Sequence, residues 1–338
     1  MSRLMKLTRR ALAAGAALFT AGLGQAARAQ STGPFAAARD YSESREGVSL
    51  LIEQGGRTLF EAYANGGGPD QAWELASGTK SFSGVLACSL QASGLLDIDR
   101  PCADILTEWR DDPAKATVTT RQLLTLTGGV VSGGFGRPTR YEEAAAAPLA
   151  FVPGERFEYG PGPYQVFGEM LRRLLRRDGY DEDVLGLIRA RVLDPAGVHD
   201  RGWRRVGGQP TLPSGAQMTA PDWAKWGRWV MDGAGGLDLA PCFQGTPQNP
   251  GYGLTFWLMR PGLIAPRRRY GMGEDAAEIA EQGEDIRAAA GAGDQKLYLL
   301  PDRDLIIVRQ SRAVPLALRG RAPQWSDLEF LRLVLNDP

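Results

Sequence analysis

The feature that most constrains this chain is the place where its hydrophobic period changes. Val48 to Glu53 is an apolar run, Gly55-Gly56 a two-residue turn signal and Thr58 to Tyr63 a returning run, which together predict a β-hairpin near the start. Comparable short runs return only after Gly251, at Leu254 to Met259, Lys296 to Leu300 and Leu305 to Arg309, ahead of a closing amphipathic stretch from Gln324 to Leu335. Between them helical spacing dominates, as in Tyr164 to Arg177, Asp183 to Val192 and Pro221 to Met231, with Gly/Pro-rich loops as separators. Strands at both ends with helices inserted imply one discontinuous α/β (α+β) domain. Its antiparallel-sheet part spans about 30–100 and 251–338, and its all-helical subdomain about 101–250.

Within the first part, Glu74 to Leu95 reads as a helix, because Phe82, Val85, Leu86 and Leu90 recur at helical spacing and Gly94 sits near its end. Ser77 lies at the start of that helix. Trp223, Trp226 and Trp229 are spaced as one face of a core helix near the site. Ala144 to Ala150 reads as helix or surface loop.

The first 29 residues stand apart. Arg3, Lys6, Arg9 and Arg10 precede an Ala/Leu/Gly-rich run from Ala11 to about Gly24, and Ala27-Arg28-Ala29 follows, the pattern of an export signal cleaved before Gln30. The Arg9-Arg10 pair is compatible with twin-arginine export, and general secretion stays open. A periplasmic or secreted protein is therefore expected, with no stable membrane span after cleavage. Lys plus Arg and Asp plus Glu stand at 39 each, so no net field favours nucleic acid. Three cysteines, Cys88, Cys102 and Cys242, allow at most one internal bridge; Cys102 with Cys242 is one pairing, and Cys88 reads as a buried thiol on the apolar side of its helix. No metal-ligand cluster is present in the sequence, and neither a metal nor an organic cofactor is expected.

His199 is the only histidine, and it falls in the turn-like Asp194-Pro195-Ala196-Gly197-Val198-His199-Asp200. Nucleophilic catalysis would thus rely on a lysine or tyrosine base. Ser77-Gly78-Thr79-Lys80 places serine and lysine on adjacent turns of one helical face, within hydrogen-bonding range. Only five residues of the chain are lysines, Lys6, Lys80, Lys115, Lys225 and Lys296, against 34 arginines. Arginine keeps its proton inside a protein, whereas buried lysine can lose one and act as a base, so lysine at 80 is the residue that base chemistry requires.

Three blocks carry a family resemblance. Ser77-Gly78-Thr79-Lys80-Ser81-Phe82, with Glu74-Leu75-Ala76 before it and Gly94-Leu95-Leu96-Asp97-Ile98-Asp99 after, resembles the first motif of class C β-lactamases and related penicillin-binding proteins. Val118 to Gly129 is similar to the segment that follows, with Leu126 and Gly128 replacing the usual His and Ser. Pro153-Gly154-Glu155-Arg156-Phe157-Glu158-Tyr159 is similar to the second-motif region, where Tyr-x-Asn appears as Tyr159-Gly160-Pro161. The resemblance implies a β-lactamase/transpeptidase-like fold, with Ser77 as nucleophile and Lys80 and Tyr159 as proton-handling partners. Pro161 carries no amide to replace the lost asparagine.

The third motif, Lys-Thr-Gly or His-x-Gly in the family, is matched best by Ala289-Ala290-Gly291-Ala292-Gly293-Asp294-Gln295. The resemblance makes the Ser77 and Ala292 backbone N–H groups the oxyanion hole, and Gly291 the position where substrate approaches the strand closely. The motif's basic residue is lost. Arg287 is offered as a substitute; otherwise a neutral ester or amide is the easier substrate, and the blocks around Gly291 to Gln295 and Leu300 to Val308 resemble the esterase and 6-aminohexanoate-oligomer hydrolase branch. The expected activity is hydrolysis of a small ester, amide or peptide-like substrate through an acyl-enzyme, with deacylating water activated mainly by Tyr159. A β-lactam- or peptidoglycan-directed enzyme and a non-catalytic ligand-binding relative are the alternatives. Oligomeric state is open.

Overall fold

A computed structural model describes residues 33–266, 272, 275, 278–279 and 283–335. The export signal expected at 1–29 lies outside the described residues.

The chain opens on helix α1 (Ala36–Glu43), followed by strands β1 (Gly47–Gln54) and β2 (Arg57–Tyr63). Gly55 and Gly56 both have positive φ, 56° and 74°, as the two-residue hairpin turn requires. At the other end lie β8 (Trp257–Leu258), β9 (Arg287–Gly291), β10 (Gln295–Leu300) and β11 (Leu305–Ser311). All six strands form one antiparallel sheet in the order β2-β1-β11-β10-β9-β8. The seam between the two ends of the chain is β1 against β11, where Leu51 faces Val308 and Ile52 faces Ile307. Both isoleucines are fully buried.

The expected helix over 74–95 is broken near its start. Trp73–Glu74 is a short strand (β3), Ala76–Thr79 is a single 3₁₀ turn, and the α-helix α2 runs only from Lys80 to Ala92. Ala76 sits in the left-handed region (φ 46°), and the Leu75 N–H is taken by the Ala216 carbonyl, so the backbone cannot continue helically through Ser77. The insert carries α3 (Thr120–Leu124), α4 (Tyr141–Ala146), α5 (Gly162–Arg177), α6 (Val184–Ile188, leading into a π turn) and α7 (Ala220–Met231). It is not wholly helical. Strand β4 (Gly202–Trp203), the ribbon β5 (Arg205–Val206) and β6 (Gln209–Pro210), and β7 (Ala216–Met218) lie in it, and β7 pairs with both β3 and β4.

Helix α7 starts where the Thr219 side chain accepts from the Asp222 N–H, and its apolar face docks on the sheet. Gly227 lies so near Leu297 and Leu299 that a Cβ there would stand 2.9 Å from Leu297. Trp223 and Trp226 are buried, with Trp226 edge-on to Phe82 at 4.6 Å, whereas Trp229 is only half-buried. Near the C-terminus α8 (Val314–Ala317) precedes α9 (Asp327–Leu335). All three cysteines are free and buried, but Cys242 approaches Cys88, not Cys102: the sulfurs are 3.8 Å apart, while the Cys102 sulfur faces the Thr120 hydroxyl at 3.9 Å. The pairing considered from sequence is therefore corrected by the packing of α2 against the Ala240–Phe243 turn.

Candidate active site

Ser77 is presented by the 3₁₀ turn between β3 and α2. The turn is held on two sides: Leu75 N–H donates to Ala216, and the Thr79 hydroxyl accepts from Ala216 N–H at 3.2 Å. Gly78 packs on Trp223, whose ring a Cβ at this position would approach to 3.0 Å. One turn on, Lys80 is buried at 3% exposure, and its Nζ donates to Ser77 Oγ and to the Pro213 carbonyl, both at 2.9 Å. The rings of Tyr159 and Tyr164 stand 4.9 and 5.3 Å from Nζ. Among the described residues no carboxylate pairs with Lys80, so burial dominates and lowers its pKa to about 7.

Tyr159 leads into α5 from the other side of Ser77. Its hydroxyl is shut off from water and makes no hydrogen bond of good geometry, although the Ser77 and Trp257 side chains lie near enough to oppose the effect of burial. Burial prevails, and the phenol is held well above its usual pKa. The ring is packed among Tyr252, Trp257 and Phe135, the last stacked on it at 6.0 Å. Pro161 caps the start of α5 and offers no side-chain donor.

Gly291 ends β9 directly against the turn that carries Ser77. A Cβ there would collide with the Leu75 carbonyl oxygen and stand 2.9 Å from Ser77 N, so only glycine permits this approach. The turn after it is braced from beneath by buried Arg309, whose guanidinium donates to the Gly293 and Asp294 carbonyls at 2.9 and 2.8 Å. Ala292 and Ser77 line one narrow cleft of about 30 Å³, together with Phe135, Glu74, Ser214 and Arg204. Beyond Phe135 and Tyr159 a larger groove of about 640 Å³ opens, walled by Phe157 and Ile264 among others.

Arg287 is not brought to Ser77. It stands four residues back along β9, about 13 Å at strand spacing, ion-paired to Asp285 at 2.6 Å and stacked over Phe243 at 4.1 Å. The cleft's cation is Arg204, which follows β4. Its Nη2 donates to Ser214 Oγ at 2.6 Å and its Nη1 reaches the Gly136 carbonyl at 3.5 Å, while Nε is buried with no partner. An unmet buried donor costs about 1–3 kcal/mol. Sequence reasoning missed Arg204, since one arginine among 34 gives no signal of its own. It missed the Pro213 carbonyl and Trp257 for a similar reason: both reach the site by tertiary packing. His199 is exposed and lines neither cavity. Among the described residues no group of three His, Cys, Asp or Glu side chains is arranged to hold a metal, and no helix is long and apolar enough to cross a membrane.

Comparison with known families finds a match to the Beta-lactamase model over residues 25–320. No curated protein matches by sequence. Solved structures do. A β-lactamase-like protein from Bacteroides dorei DSM 17855 is 17% identical at a TM-score of 0.65, covering 88% of this chain and 96% of its own. A D-stereospecific amidohydrolase from Streptomyces sp. is 16% identical at 0.61, covering 84% and 98%. EstCE1, a hydrolase with promiscuous acyltransferase activity, is 14% identical at 0.61, covering 89% and 95%. At these identities the likeness is one of fold.

Proposed function

Because this chain belongs to the β-lactamase family, we propose that it is a serine hydrolase that cleaves a small ester or amide through an acyl-enzyme on Ser77. The observation that carries this reading is the 2.9 Å contact between Ser77 Oγ and a buried Lys80 whose pKa falls to about 7. At neutral pH a large fraction of such a lysine is unprotonated and able to accept the serine proton. Ser77 Oγ then bonds to the substrate carbonyl carbon, and the resulting oxyanion is held by the Ser77 and Ala292 backbone N–H groups.

Burial keeps Tyr159 a neutral phenol, so its part is to relay a proton and not to serve as a phenolate base. It takes the proton from Lys80 as it gives its own to the leaving group, whose bond to the acyl carbon breaks. Lys80, neutral again, accepts a proton from the deacylating water as the water oxygen bonds to the acyl carbon; the bond from that carbon to Ser77 Oγ then breaks, the acid leaves, and Lys80 returns the proton to Ser77 Oγ. This shifts the weight in deacylation from Tyr159, expected from sequence, to Lys80. Substrate is small, in keeping with a narrow cleft, and the N-terminal pattern read from the sequence as an export signal would place the reaction outside the cytoplasm.

The test is intact-mass analysis after exposure to a fluorophosphonate, with p-nitrophenyl esters and β-lactams assayed alongside. One adduct that disappears in Ser77→Ala, together with ester turnover that also disappears, is expected. An unchanged Ser77→Ala rate would refute the assignment. A long-lived β-lactam adduct would instead favour the penicillin-binding alternative, and an inert Ser77 a ligand-binding relative.

A further inference from the structure

We propose that Arg204 holds a carboxylate of the substrate, so that the Ser77 cleft is built for esters or amides bearing a negative charge a few bonds from the reacting carbonyl. The inference rests on the acyl-transfer reading of Ser77 and adds the substrate class.

Arg204 differs from several other arginines that are wholly or partly buried. Arg172, Arg173 and Arg228 each meet carboxylates, and Arg309 meets backbone carbonyls. Arg204 has a hydroxyl, one long carbonyl contact and a buried Nε that nothing accepts from; among the described residues no carboxylate pairs with it. A guanidinium so placed offers its remaining N–H groups in the planar fork that a carboxylate matches. Arg204 and Ser77 line the same cleft of about 30 Å³, which fixes the charge close to the scissile bond.

The position of Arg204 is built, not incidental. Its N–H donates to the Gly215 carbonyl at 3.0 Å and its carbonyl accepts from Thr211 N–H at 2.9 Å. Gly215, at φ 116°, has no Cβ to push against the Arg204 backbone. The same loop supplies the Pro213 carbonyl to Lys80, so the anion anchor and the base are set by one segment. Glu74 also lines the cleft and has no ion-pair partner among the described residues. It opposes a simple anion, so removing its charge should act in the direction opposite to removing that of Arg204.

The experiment compares p-nitrophenyl acetate with mono-p-nitrophenyl glutarate. Wild type should prefer the glutarate, and Arg204→Gln should lower the glutarate-to-acetate ratio of kcat/KM by about tenfold or more, mainly through KM. Arg204→Lys should fall between, keeping charge without the fork. Glu74→Gln should raise the ratio. An unchanged ratio in Arg204→Gln overturns the proposal, as does equal loss on both esters. Binding of monomethyl glutarate to Ser77→Ala, measured by calorimetry and lost in Ser77→Ala/Arg204→Gln, supports the anchor even if neither ester is turned over and the acyl-transfer reading fails. Absence of both binding and preference refutes it.

Discussion

At Lys80, function and stability pull against each other. Burial lowers its pKa from 10.5 to about 7, which suits it to the proposed role of base and also makes the protonated form costly to fold. The unfolded chain holds this proton up to about its usual pKa, whereas the folded chain releases it near 7. Between those values the unfolded state binds more protons, so stability should rise with pH across that window, by at most about 1.4 kcal/mol per unit. Lys80→Met should flatten that slope in denaturant titrations at pH 7 to 9 and lower kcat by about 10²–10⁴-fold. In wild type, kcat/KM should increase with pH through about 7, as the base loses its proton. A rate that falls over that range would contradict the role given to Lys80. The residue type at 80 was legible in the sequence through the rarity of lysine and the family resemblance of the block around Ser77, the spacing alone being a weak signal; the burial that lowers its pKa was not.

Elements were legible where a period or a turn signal imposed them. The Gly55-Gly56 hairpin, helix α5 and helix α7 follow from local chemistry and lie within a few residues of their expected bounds. The turn that carries Ser77 was not legible, since Ala76 adopts a positive φ that no local signal demands and that a long-range bond from Leu75 N–H to the Ala216 carbonyl enforces. Strands β3, β4 and β7 are two or three residues long, too short for periodicity, yet they hold the turn and carry Arg204 beside it. Strand β9 reads Arg-Ala-Ala-Ala-Gly, poor in β-formers, and was visible only through the resemblance of its end to a third motif. Its glycine gives a prediction at this scale. Gly291→Ala should press β9 away from Leu75 and Ser77, disturbing the backbone N–H groups proposed as the oxyanion hole. A kcat loss of about 10²–10³-fold is expected, with about 1–3 kcal/mol of destabilisation from overpacking. Rate and labelling by fluorophosphonate, measured with the melting temperature, would expose a harmless substitution at once.

For the molecule as a whole, the site has no existence apart from the closure of the two chain ends. Ser77 and Lys80 follow the first hairpin, Tyr159 and Arg204 come from the insert, and Gly291 and Ala292 come from a strand that reaches the first hairpin only through β10, β11 and the β1–β11 seam. Arg309, on β11, props the Gly293–Asp294 turn beside Ala292, so a shift in the seam is passed to the backbone N–H proposed as an oxyanion donor. Buried Ile307 pairs with Ile52 in that seam and touches no part of the cleft. Ile307→Ala should therefore cost about 2–5 kcal/mol, as large-to-small changes in a closed core do. The loss of near-UV circular dichroism and the loss of fluorophosphonate labelling should move down together on heating, because one cooperative seam supports both. Labelling that survives after the dichroism has melted would mean that the helical insert holds Ser77 and Lys80 in working order without the sheet, and that the two parts unfold as separate units.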